Sequence, residues 1–497
     1  MARRCVIGVD GGTEGLRAGV FDLTGRALAF ASTPYPTAFP APGWAEQQPA
    51  DWWAALGQSV RRAVAEAGIA PAEVAALAVD TTNCSVVALD ASGAPLRPSL
   101  IWMDVRSQAE AEAVAATGDA ALAVNSGGRG PVSAEWMIPK ALWLKRHEPQ
   151  VFEASRHVCE YQDFVNLRLT GRLAASLNNV SIRWHYRARE GGWAADLCAR
   201  AGIPELPGKW PQEVLAPGAT IGPLTAEAAA HLGLPAGTRV VQGGADASIA
   251  MIGLGVVQAG SMALITGSSH LQLGLSATPL YAAGVWGSYA DAVIPGLHLV
   301  EGGQTSTGSV VSWFRRLLGE GVGYAQLDRE AAAVAIGSEG VLAQDHFQGN
   351  RTPHTDPLSR GALVGLSLRH GRGHLLRAIM ESVAYGTRLI LETQRRSGFD
   401  ARVLTAAGGV TKSDVWLQIH ADVTGLPLQL TRTAEAACLG SAMLAAVGAG
   451  EFGSIGEAAA SMAEVTRVIE PDPAAHAAYA EHFARYCALY PALRALA

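Results

Sequence analysis

Four short stretches of this chain set glycines beside hydroxyl or carboxylate side chains in patterns that bear on phosphate chemistry. The first is "VIGVDGGTEGLRAGVFDLTG" (6–25), where Asp10, Gly12 and Thr13 separate two apolar runs of strand character. Glycine lets main-chain N–H groups approach a ligand without a Cβ in the way, and successive N–H groups in a turn form an anion-binding hollow. Thr13 adds a hydroxyl donor. Asp10 would repel a phosphate directly, so its natural part is through a Mg²⁺ ion or its waters, because magnesium on phosphates commonly uses one or two carboxylates. "TGSSH" (266–270) repeats the device with Gly267 and Ser268, and two such turns could grip a polyphosphate from both sides. In "GGADAS" (243–248), Asp246 follows an apolar strand and two glycines. A carboxylate there can take the proton of an attacking hydroxyl, or it can simply cap the helix "ASIAMIGLG". "AAGGVTKSD" (406–414) runs from strand through Gly-Gly to a helix start, which suits the adenosine or phosphate end of a nucleotide. Each stretch alone also reads as an ordinary turn. No GxxxxGK[ST] occurs, so a nucleotide would be bound without a P-loop.

The elements that must hold these residues alternate between strand and helix. Residues 5–35 read as three short strands joined by tight turns, which the Asp, Thr and Gly punctuation favours. A helix is predicted over 49–68 with Trp53, Leu56, Val60 and Val64 along one side. Two strands follow, in "VAALAVDTT" and "CSVVALDASG". The second half opens in the same way: "VVQGGADASIAMIGLG" (240–255) is a strand running into a helix, and "SMALITGSSHLQLGLSATP" (261–279) is strand, small polar turn, strand. A long helix is predicted over 373–396, with Leu375, Ile379, Val383 and Ile390 on one face. Then come a strand at 402–409, the helix "KSDVWLQIHADVTG", the strand "PLQLTR" and the Ala-rich "AACLGSAMLAAVGAG", whose small residues would let it pack closely on a neighbour. The alternation defines an α/β class. A chain of 497 residues is long for one core, so two domains of like topology are expected, with a boundary near 255.

Composition excludes several functions. Charged residues make up 16% of the chain and the formal net charge is −6, with no cluster of Lys and Arg, so no nucleic-acid stripe is expected. No apolar run reaches the roughly 20 residues that cross a bilayer. A strand begins almost at once, leaving no room for a signal peptide. The six cysteines are scattered without a CxxC pair, which excludes a zinc site of matching spacing and argues against a disulfide framework. A cytoplasmic enzyme is the expectation, with no nucleic-acid or membrane partner.

Taken together the four stretches resemble the FGGY carbohydrate kinases, over about residues 5–450. The late motif of that family is Gly, an apolar-centred trio, Gly-Leu, a spacer, a polar residue and an ending in Ala-apolar-apolar-Glu; here it stands as "GALVGLSLRHGRGHLLRAIME" (361–381). "PKALWLKRHEPQVF" (139–152) looks like xylulose and ribulose kinases. The resemblance implies two actin/Hsp70-like, ribonuclease H-like domains with an inter-domain cleft: residues 1–255 for sugar and phosphate, 256–497 for nucleotide. It places Asp10 near Mg²⁺, Gly12 and Thr13 in the first phosphate loop, and Gly267 and Ser268 in the second. Gly308 and Ser312 match positions lining the nucleotide site, Gly409 and Ser413 the adenosine loop, and Asp246 the catalytic base. Asn83, Cys84, Asp104, Glu135 and Asp246 match sugar-binding positions.

The implied activity is ATP-dependent phosphorylation of a terminal hydroxyl of a ketopentose, with ATP and Mg²⁺ required and homodimer formation left open. Glycerol kinases carry Arg-Glu where this chain has Asn83-Cys84, which speaks against glycerol. Glu14 falls where small residues are commoner and puts a negative charge beside the first turn. "GVWGSYADAVIPGLHLVEGGQTSTG" (284–308), "WMDVR" and "GGRGPVSAEWMIPK" lean toward ribulokinases, so ribulose is the first expectation, xylulose the second, and a tetritol or other polyol an alternative. A protein of this fold that binds sugar and ATP without transferring phosphate is the rival of another class.

Overall fold

The computed structural model describes residues 5–128, 130–319 and 321–495; Arg129, inside the quoted stretch at 127–140, lies outside them. The chain divides into two compact units. Unit 1 comprises Met1–Val257, Gly287–Leu299 and Glu435–Glu464, and unit 2 comprises Gln258–Trp286, Val300–Ala434 and Val465–Ala497.

Unit 1 is built on strands β1 (Cys5–Gly11), β2 (Gly15–Asp22), β3 (Ala27–Pro34), β4 (Val74–Thr81), β5 (Thr220–Pro223) and β6 (Arg239–Ala245), in the sheet order β5-β6-β4-β1-β2-β3. β1 and β2 form an antiparallel hairpin with Asp10 opposite Arg17. β1, β4 and β6 run parallel, in a register that sets Asp10 beside Asp80. Alternation along β1 sorts its side chains to two faces. Cys5, Ile7 and Val9 join Leu56, Val60 and Val64 of helix Pro49–Ala67 in one core. Trp52 is the fully buried tryptophan of that helix and stacks on Tyr161 with ring centroids 3.7 Å apart. Trp53, expected on the buried side, is half-buried and stacks on His231 instead.

Gly8 faces the opposite way, toward helix Ala436–Ala449. A methyl there would overlap the Cys438 carbonyl oxygen, one at Gly440 would overlap that of Ile249, and one at Gly253 would overlap that of Ala436. The helices Asp246–Gly253 and Ala436–Ala449 therefore touch backbone to backbone. This close fit explains why the second half of the sequence is not one body: the Ala-rich segment, expected in a domain running from 256 to 497, belongs with unit 1.

Unit 2 repeats the strand pattern with β7 (Ser261–Thr266), β8 (His270–Ser276), β9 (Val403–Gly408), β10 (Leu428–Thr431) and β11 (Val465–Ile469), adjacent in the order β8-β7-β9-β10-β11. β7 and β8 form a hairpin, and β9 runs parallel to β7 with Gly408 beside Thr266. The long helix Arg372–Arg396 buries Leu376, Ile379, Val383 and Ile390, while Leu375 is only half-buried. Among the described residues no helix is long and apolar enough to cross a membrane.

Replacing an interior helical glycine by alanine ordinarily stabilises by about 0.5–1 kcal/mol. At Gly440 the sign reverses, because the new methyl meets backbone that cannot move aside. Gly440→Ala is expected to destabilise unit 1 by about 1–3 kcal/mol, read as a lower urea midpoint for the transition that exposes Trp52.

Candidate active site

In unit 1 the parallel register gathers carboxyl groups at the C-terminal ends of neighbouring strands, where open α/β sheets take their ligands. Asp10 is half-buried, and burial raises its carboxyl above the usual range against the pull of Arg17. Asp80 is fully buried. Burial, and then the charge of Asp10, hold its carboxyl far above the usual range. Its Oδ2 accepts a 2.6 Å hydrogen bond from the Ser441 hydroxyl, and its Oδ1 is buried without a partner. Asp80 escaped the sequence reading. The signal was present as a single carboxylate near the end of the otherwise apolar "VAALAVDTT", a position costly to fill without purpose.

Asp246 is the first residue of helix Asp246–Gly253, whose N-cap is Ala245, so it does not cap the helix as one reading had it. Its carboxyl is pushed up to about 7, by burial first and the charge of Asp10 second, while the Ala247 N–H, 2.7 Å from Oδ1, pulls the other way. The approach to it is fixed by polar side chains: Asn178 Oδ1 accepts from the Ala245 N–H at 2.9 Å, and the Ser176 hydroxyl donates to the Gly243 carbonyl at 2.8 Å. A carboxyl that titrates near neutrality suits a general base.

The β1–β2 turn closes through a 3.1 Å hydrogen bond from Gly12 N–H to the Gly15 carbonyl, and the Tyr35 hydroxyl donates to the Gly12 carbonyl. Thr13 is held at both ends: its Oγ1 accepts from Trp102 Nε1 (2.9 Å), and its carbonyl accepts from Gln47 Nε2 (2.7 Å). Glu14 is exposed to solvent. Of the sugar-binding expectations, Asn83 and Glu135 are half-buried, and Cys84 is buried with φ 60° and its thiol pushed up by burial. Asp104 is fully buried, and its oxygens accept from Arg106 (2.7 and 2.9 Å) and the Ala45 N–H (2.7 Å). The Arg106 guanidinium lies 3.7 Å from the centre of the Trp44 ring. This carboxylate braces its own loop.

In unit 2 the second turn is tied to a helix start. The Ser268 carbonyl accepts from the N–H groups of Thr307 (3.0 Å) and Ser309 (3.2 Å), at the head of helix Gly308–Leu317. A methyl at Gly308 would overlap the Gly267 carbonyl oxygen. The structure thus brings Gly267, Ser268 and Gly308 together, while Ser312 lies one turn along the helix and accepts from Arg316 (3.1 Å). The neighbouring strand end is joined through Thr266, another residue the sequence reading missed. Its hydroxyl donates to the Ala407 carbonyl (2.6 Å) and accepts from the Val410 N–H (3.1 Å). Gly409 faces open space, and Ser413 caps helix Asp414–Thr424 through the Trp416 N–H (3.3 Å).

The donor set fits a magnesium nucleotide. Among the described residues no group of three or more His, Cys, Asp or Glu could hold a metal on its own. The Asp10–Asp80 neighbourhood instead offers one or two carboxylates and an orphaned oxygen, matching an ion that takes its remaining ligands from phosphates and water. Gly12, Gly267 and Gly409 each leave room beside their own main chain, the form that an anion-binding turn takes.

This is the class of a two-domain α/β phosphotransferase. Family models for the N-terminal and C-terminal domains of FGGY carbohydrate kinases match residues 5–253 and 262–449. A ribulokinase of Geobacillus thermodenitrificans is 31% identical over 99% of this chain and 94% of its own length. The human FGGY carbohydrate kinase domain-containing protein is 32% identical over 94% of this chain and 93% of its own. The crystal structure of xylulose kinase from Rhodospirillum rubrum superposes with a TM-score of 0.90 at 33% identity, covering 99% of each chain. The chain belongs to the FGGY family of carbohydrate kinases. It is a sugar kinase of a family that uses ATP, with the two-domain fold of that family.

The Asp246 carboxyl titrates near 7 in the native state and near 3.9 when free. The native state therefore holds the extra proton between these values. That contribution to stability is complete below about pH 4 and is lost as pH rises through 7. Asp246→Asn is expected to unfold at higher temperature than the parent at pH 8, by an amount worth about 1–3 kcal/mol after allowance for partial exposure. The difference should close by pH 4 in calorimetric scans.

Proposed function

We propose that the protein transfers the γ-phosphoryl group of ATP to a terminal primary hydroxyl of a ketopentose, with ribulose the first substrate and xylulose the second. The observation that carries this reading is Asp246, a carboxyl poised near neutrality at the head of a helix and the end of β6. Asp246 accepts the proton of the hydroxyl as its oxygen attacks the γ-phosphorus in line. The first turn, through Thr13 and Gly12, and the second, through Gly267 and Ser268, offer hydroxyl and main-chain donors to the phosphates. Gly308, Ser312, Gly409 and Ser413 bound the rest of the nucleotide. A Mg²⁺ ion held through Asp10 would supply positive charge to the phosphate oxygens. On the sugar side, Asn83 and Glu135 are the polar side chains open to hydroxyl groups, with Cys84 shaping the wall. Asp104 serves that side through its loop. The similarity to curated ribulokinases supports ribulose, and the similarity to a solved xylulose kinase keeps xylulose in view.

A panel of C4 to C6 ketoses and polyols, scored by ADP release and ranked by kcat/KM, tests the reading. Ribulose should lead, and Asp246→Ala should lower kcat about 10²–10⁴-fold. Unchanged turnover in that variant would remove Asp246 from its role. A second outcome concerns the nucleotide side: Gly308→Ala should raise the KM for ATP at least about tenfold, as a lost contact worth about 1.4 kcal/mol would, and leave the KM for sugar within about twofold.

A further inference from the structure

Lys140 is a fully buried lysine in helix Met137–His147, and among the described residues no carboxylate is hydrogen-bonded to its ammonium. The ammonium donates to three main-chain carbonyls of the described residues: Cys84 at 2.7 Å, Ile101 at 2.6 Å and, more weakly, Leu100 at 3.4 Å. An ammonium withdrawn from water is costly unless its donors are well used, so the position of this one calls for a reason. Two of the carbonyls it grips end the segment that leads into Trp102 and Asp104. The third belongs to Cys84, whose φ of 60° lies in a region that residues with a Cβ rarely occupy. Its own helix begins two residues after Glu135. The same turn is also held by Glu160, which is fully buried, accepts from Trp184 Nε1 at 2.9 Å and receives the Ser85 N–H at 3.4 Å.

We propose that Lys140 is a positioning residue for sugar recognition: one buried ammonium ties the Asn83–Cys84 turn, the 100–104 loop and the Glu135 segment into a single preformed wall, with Glu160 as a second brace on the turn. This rests on the reading of unit 1 as the sugar-binding part. The ammonium touches no substrate. It removes the freedom of three segments that sugar would otherwise have to order on binding, and ordering of that kind is subtracted from affinity. The effect belongs to sugar binding rather than to the phosphoryl step.

The test uses Lys140→Met, which keeps the length of the side chain without its charge or donors, and Glu160→Gln, each in the full chain. Steady-state kinetics with D-ribulose, and in parallel D-xylulose, should show the sugar KM raised at least tenfold in Lys140→Met, with kcat and the KM for ATP within threefold. Glu160→Gln should shift the sugar KM in the same direction by a smaller factor. A merely structural role would move both KM values and kcat together, and that pattern, or an unchanged sugar KM, overturns the proposal. A second readout is independent of turnover. Iodoacetamide labelling of Cys84, followed by peptide mass spectrometry, should be at least tenfold faster in Lys140→Met than in the parent, because the turn is released. If Lys140→Met does not fold, Glu160→Gln carries both measurements, and equal labelling and equal sugar KM there overturn the proposal. If the parent phosphorylates neither pentulose, the substrate reading fails while the labelling still decides whether Lys140 holds the turn.

Discussion

Three parallel strands of unit 1 end in or beside an acid, and their register does not let those acids stay apart. Asp10 lies beside Asp80 across one ladder, and Asp246 follows directly from the end of the next strand. Burial first, and the charge of Asp10 acting on Asp80 and Asp246, keep all three carboxyls more protonated than they would be in water. Such a group is unfavourable as folding chemistry and useful as reaction chemistry. Much of the surrounding architecture keeps the acids in place: the Ser441 hydroxyl on Asp80, Asn178 and Ser176 along the Gly243–Ala245 backbone, and a helix whose backbone meets β1 at Gly8.

The two units solve related problems with the same strand order. In each, a hairpin turn built of Gly and hydroxyl residues lies beside the end of a parallel neighbour, Gly11 beside Thr81 in one and Thr266 beside Gly408 in the other. Unit 1 puts acids at these ends, and unit 2 puts glycines and hydroxyls there. The two sheets thus carry different charge at matching strand ends.

The local devices were legible in the sequence because they depend on neighbours along the chain. Short apolar runs marked β1, β2, β7 and β8, and the Gly, Ser and Thr punctuation marked their turns. The helix at Pro49–Ala67 was found from its period, yet its buried tryptophan is Trp52, because the pairing of that residue with Tyr161 is made by a strand and helix more than a hundred residues away. Asp104 has the residue type of a sugar ligand, and only the fold shows Arg106 and the Ala45 N–H occupying it. Lys140 sat unremarked in "PKALWLK", since nothing local distinguishes a buried lysine from a solvated one. The placement of Glu435–Glu464 in unit 1 was illegible for the same reason: small residues announce a close fit without naming its partner.

That late segment has a consequence for how the molecule is made. Ribosomal synthesis releases β1 and β4 first, and the helix that covers β1 follows only after more than four hundred residues have been added. Until then the apolar face around Gly8 lies bare, and Asp80 lacks the hydroxyl of Ser441. A chain interrupted before residue 436 would carry Asp10, Asp80 and Asp246 but not the helix that meets Gly8 and supplies Ser441. The packing partner of β1 is thus supplied only after nearly all of the other strands have been made.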